Sequence, residues 1–87
     1  MDKRFVLRHA AGEYWLIDLK QDPAKYKEPM SFNETGATVL RLLEEGKSAK
    51  QIAGIISDRY GSKPEEALED ILSFELQLME YGYMINN

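Results

Sequence analysis

The chain holds one histidine, His9, and no cysteine. A disulfide and a thiolate metal centre are both excluded, and one imidazole cannot build a His-based zinc site. Nucleophilic and general acid–base catalysis need a nucleophile or a titratable group beside a positioned partner. No spacing marks such a partner for His9, which reads as a solvent-exposed strand residue. The acids Glu65, Glu66, Glu69, Asp70, Glu75 and Glu80 could be imagined around a metal ion, but their helical spacing suits a solvated face. The run Asn33-Glu34-Thr35-Gly36 lacks the glycine cluster that cradles phosphate between a strand and a helix. The expectation is therefore a domain that binds: not an enzyme, with no catalytic residue, no metal site and no cofactor.

Composition narrows the kind of binding. With 87 residues, 44% hydrophobic and 30% charged, the chain suits one small globular domain over residues 1–87 rather than a disordered segment. No apolar run approaches the roughly 20 residues of a membrane span, and Met1-Asp2-Lys3-Arg4 does not open a signal peptide. A cytoplasmic, soluble domain with no membrane partner is expected. The net charge of -4 is unevenly placed. Residues 1–32 and 33–63 each carry one more base than acid, whereas residues 64–87 carry six acids and no Lys or Arg. A phosphate backbone would be repelled there, so no nucleic-acid partner is expected.

The residues left to do chemistry are main-chain groups and apolar side chains, and their elements can be read from periodicity. Residues 4–19 read as a β-hairpin turning at Ala11-Gly12-Glu13. Its second strand, nearly all apolar until Asp18, suggests cover on both faces. A third short strand is predicted over residues 26–32. Pro29 within it cannot donate a ladder hydrogen bond, which assigns that strand to a sheet edge.

From Asn33 the apolar period changes from two to about 3.6. Asn33 is an N-cap; Ala37, Val39, Leu40 and Leu43 form a stripe; Gly46 closes the first helix. Ser48-Ala49-Lys50-Gln51 is a capping box for a second helix that buries Ile52, Ala53, Ile56 and Tyr60 and stops at Gly61. Ser62-Lys63-Pro64-Glu65 reads as another capping box, and the third helix runs to Tyr81, with Gly82 as its stop. The fold class is α+β: a three-stranded antiparallel sheet followed by three helices, resembling a winged helix-turn-helix.

The third helix carries two apolar stripes. Ala67, Ile71, Phe74, Leu78 and Tyr81 form one, and Leu68, Leu72, Leu76 and Met79 form the other, with Glu75 between them. Either the whole arc is core, or one stripe is core and the other lines a groove for a ligand. In the second case the edge residues Tyr26, Lys27, Glu28, Pro29, Met30 and Ser31 could take an extended peptide as a further strand. Leu68, Leu72, Leu76 and Met79 would then wall the groove. Glu75 would meet a cation of the guest or, alternatively, pair with a neighbour such as Arg41.

The run Phe32-Asn33-Glu34-Thr35-Gly36-Ala37, followed by Leu40, Leu43 and Gly46, resembles the "LNxTGA" segment of PqqD-like proteins. The likeness continues through Ser48, Ile52, Ala53, Ile56 and Tyr60, then Asp70, Ile71, Phe74, Leu78 and Gly82, and spans residues 5–85. Its specificity lies in the order and spacing of these patterns, each of which alone is only a cap or a core stripe. The resemblance implies a recognition element that binds the leader region of a ribosomally synthesised precursor peptide. The leader adds beside the third strand, packs on the third helix and is presented to a modifying enzyme, often a radical S-adenosylmethionine protein. The chain is expected to be a free-standing domain, monomeric or homodimeric. Phe32 replaces the usual Leu, and Glu75 stands where the family commonly has an apolar residue. Either the local packing differs at Glu75 or the guest brings a positive charge. A winged-helix DNA-binding regulator is the competing expectation, and a homodimerising adaptor that pairs through the same edge is a third.

Overall fold

The computed structural model describes residues 4–20, 24 and 27–83. Its elements are β1 (Phe5–Ala10), β2 (Glu13–Asp18), β3 (Met30–Phe32), α1 (Glu34–Glu44), α2 (Ala49–Tyr60) and α3 (Pro64–Tyr81). This is the expected α+β order, an antiparallel sheet β1-β2-β3 followed by three helices. The chain forms two compact units, Met1–Ala37 and Thr38–Asn87.

In the first unit, Ala10 pairs with Glu13 across a turn of Ala11 and Gly12, whose φ values are 55° and 78°. Positive φ at both central residues is the mirror-image turn whose twist matches that of the flanking strands. The turn is thus one residue shorter than expected, and Glu13 begins β2. Along β2, Leu16 and Asp18 are buried while Trp15 and Ile17 are only half-buried. The anticipated full cover of both faces is not met: alternate residues point to opposite sides of the sheet, and one side is covered less. His9 is exposed and stacks flat on Tyr14, with ring centroids 4.3 Å apart.

The third strand is shorter than predicted. Residues 27–29 are irregular, and pairing runs only through Tyr14↔Phe32, Trp15↔Ser31 and Leu16↔Met30. Pro29, with no N–H to give, ends the ladder. Tyr26 lies outside the described residues. After β3, the Asn33 side chain accepts the Gly36 amide at 3.0 Å and caps α1. A Cβ on Gly36 would sit 3.1 Å from Phe32, so glycine there admits the aromatic ring to the first turn of α1.

In the second unit, Val39, Leu40, Leu43, Ile52, Ala53, Ile56, Ala67, Ile71 and Leu78 are buried. Gly46, at φ 91°, ends α1 with the paired bonds Gly46 N–H to Leu43 O and Lys47 N–H to Leu42 O. Both bonds of the Ser48–Gln51 capping box form, at 3.1 and 2.9 Å. Tyr60, expected in the core, is exposed at the last residue of α2. The second capping box is absent. Lys63 is the N-cap, makes no side-chain capping bond and is extended, with Pro64 the first helical residue. A residue before proline is driven from helical dihedrals, so the helix cannot start early enough for Ser62 to cap it. Ser57 Oγ instead donates to the Ser62 carbonyl and closes the α2–α3 turn. At the far end Tyr83 donates to Glu44 at 2.9 Å, joining the residues after α3 to the end of α1. Burial, with help from that carboxylate, holds the Tyr83 phenol well above its ordinary pKa.

Candidate functional site

In the first unit the candidate surface is β3 and the segment before it. The strand lies at the sheet edge, and no strand of the described residues pairs with its outer side. Of the residues proposed from sequence, Met30 and Ser31 are in the strand, half-buried and exposed respectively. Lys27, Glu28 and Pro29 lead into it, with Glu28 exposed and the other two half-buried.

That lead-in is tied to the sheet by an ionic cluster that periodicity did not reveal. Asp18, at the end of β2, is inaccessible to solvent. Its Oδ1 accepts from Arg4 Nε and from the Lys20 amide, both at 3.0 Å. Its Oδ2 accepts from the other arm of the Arg4 guanidinium at 2.9 Å and lies 2.7 Å from Lys27 Nζ. Arg4 and Lys27 also stand over the Phe5 ring, at 5.1 and 5.9 Å from its centroid. The Arg4 hydrogen bonds, reinforced by Lys27 and the Lys20 amide, outweigh the cost of burial and hold the Asp18 carboxyl far below the usual carboxylate range. The ammonium of Lys27, one of the edge residues proposed from sequence, is engaged within the chain. The one available hint was a lone acid ending an apolar strand, since a buried carboxylate requires cations.

In the second unit the candidate surface is α3, and here the two stripes separate. Ala67, Ile71 and Leu78 are buried, with Phe74 and Tyr81 half-buried. On the other stripe Leu68 is half-buried, but Leu72, Leu76 and Met79 are 51%, 56% and 61% exposed. The arc is therefore not all core, and three large apolar side chains one turn apart face solvent. Glu75 is half-buried between the stripes. Among the described residues no ion pair joins it to Arg41. Nor do these residues contain a group of three His, Cys, Asp or Glu placed to hold a metal ion. No helix among them is long and apolar enough to cross a membrane.

The sequence profile of the family described as coenzyme PQQ synthesis protein D (PqqD) matches residues 6–84. The chain belongs to the PqqD family. Among solved structures it is similar to "TbiB1 in Complex with the TbiA(beta) Leader Peptide", with a TM-score of 0.74 and 21% identity over 99% of this chain and 94% of that one. No curated protein matches it significantly. At that identity the structural likeness concerns the fold. The PqqD match covers both units, including the capped start of α1 and the stop of α3 at Gly82.

Proposed function

We propose that this PqqD-family chain binds the leader region of a ribosomally made precursor peptide by strand addition and presents it to a modifying enzyme. The observation that carries this reading is the edge strand β3, which has no outer strand among the described residues. An extended guest supplies what such an edge needs, main-chain donors and acceptors in register. The family membership and the leader peptide held by TbiB1 support the same reading. With three residues in β3, the guest gains only about two to four backbone hydrogen bonds, each worth about 1 kcal/mol net. The remainder of the affinity comes from side chains. In this reading Leu72, Leu76 and Met79, with Leu68 beside them, receive apolar residues of the guest, and Glu75 meets a cation of it. Met79 supplies a deformable surface for varied partners. In the first unit Glu28, Pro29, Met30 and Ser31 are the proposed edge contacts, and Lys27 contributes main chain, since its ammonium holds Asp18.

The chain itself performs no chemistry in this scheme. A radical S-adenosylmethionine enzyme is the proposed recipient, and the cytoplasm, where precursors are translated, is the proposed site of action. The DNA-binding alternative has no support in charge, because α3 carries six acids and no base with which to displace counterions.

Hydrogen exchange tests the proposal. Leader peptides from short reading frames encoded beside this gene are added to the intact protein. Slowed exchange at the β3 amides that point away from β2, or at their guest partners, supports strand addition, whereas exchange unchanged at saturating peptide refutes it.

A further inference from the structure

Resting on the peptide-binding reading above, we infer that the occupant of the α3 face is a basic amphipathic segment, in which apolar residues are flanked by Lys or Arg. The argument starts from the helix geometry. At about 100° per residue, Leu72, Leu76 and Met79 fall within a strip about 60° wide. Glu75 borders one side of that strip, and Glu69 and Glu80 border the other. The three apolar side chains are more than half exposed, and Glu69 and Glu80 are exposed as well. None of these carboxylates has an ion-pair partner among the described residues. No Lys or Arg occurs from residue 64 onward, so α3 has no cation of its own to offset them.

A wholly apolar guest would bring low-dielectric surface against uncompensated carboxylates, which raises their cost. An acidic guest would be repelled outright. A second copy of this chain docked through the same face would set identical carboxylates against one another, so self-association there is opposed as well. A segment with apolar residues over the strip and cations on both flanks satisfies every group present, and charge of this kind selects partners more than it adds affinity. Glu75, the member between strip and core, is the half-buried carboxylate and the one a guest cation would desolvate most.

A phage-displayed random dodecapeptide library panned against the intact protein tests this. Enriched peptides should be net positive, with Lys or Arg beside apolar residues. Panning against E69K/E75K/E80K should instead enrich Asp and Glu. For one enriched peptide, Glu75→Gln should weaken binding about threefold and Glu75→Lys about tenfold at about 50 mM salt, with the gap narrowing at about 0.5 M. Circular dichroism of each variant confirms that the fold is kept. Enriched peptides that are neutral or acidic, or a preference unmoved by the triple reversal, overturn the inference while leaving peptide binding intact. Enrichment of nothing above background overturns both.

Discussion

Replacing Asp18 with asparagine keeps the size of the side chain and removes its charge. In the native arrangement the two carboxylate oxygens accept two bonds from Arg4, one from the Lys20 amide and one from Lys27. An asparagine has one acceptor oxygen, and its NH2 would point at donors that cannot accept. Charge-assisted bonds to buried groups contribute about 1.5–3 kcal/mol each. Arg4 and Lys27 are 45% and 33% exposed, however, so water recovers much of what they lose. A net loss of about 2 kcal/mol for Asp18→Asn is expected, which for a chain of this length lowers Tm by about 10 °C. The pH dependence separates the charge from mere packing. Because the folded carboxyl titrates far below its unfolded value, the unfolded state binds more protons and stability rises with pH. The contribution is fully present above the unfolded pKa of about 3.9 and is lost as pH falls toward the folded one. Thermal melts followed by circular dichroism at pH 7 should show the full gap between wild type and variant, and melts below about pH 3 a smaller one. A gap under about 2 °C at pH 7, or one unchanged down to pH 2, would refute the assignment of Asp18 as a charged anchor.

The other predictions concern single contacts. Leu72→Glu or Met79→Glu should leave the unfolding free energy from urea titration within about 0.5 kcal/mol of wild type, because these positions are exposed. Either change should weaken leader-peptide affinity by about five- to thirtyfold in a calorimetric titration, from about 1–2 kcal/mol of lost apolar burial. Ser48→Ala removes half of the capping box and should cost about 1 kcal/mol in urea unfolding. Gly36→Ala presses a methyl on Cβ and the near edge of the Phe32 ring and should cost about 1–2 kcal/mol in urea unfolding.

The helices were legible residue by residue. Asn33, Ser48 with Gln51, Gly46, Gly61 and Gly82 act on amides and carbonyls within a few positions of themselves, so their roles appear in the order of residues alone. The failures arise where another constraint overrides a local signal. Ser62 and Glu65 have capping-box spacing, but Pro64 fixes Lys63 in an extended conformation and overrides it. Residues 27–29 have strand-like composition, but Pro29 cannot continue the ladder and Lys27 is drawn to Asp18. Tyr60 lies on the apolar period of α2, yet it ends the helix and is exposed.

What the order of residues determined by itself was the α+β succession, the helix limits, the edge character of β3 and the concentration of acid on α3. These follow from short-range sterics, capping and a count of charges. What only the tertiary structure decided was which apolar stripe of α3 is covered and what Asp18 is for. Two stripes of nearly equal hydrophobicity carry no local mark of which one a neighbour will bury. The charged partners of Asp18 lie fourteen residues before it and nine after it, brought together by the sheet and not by any local period.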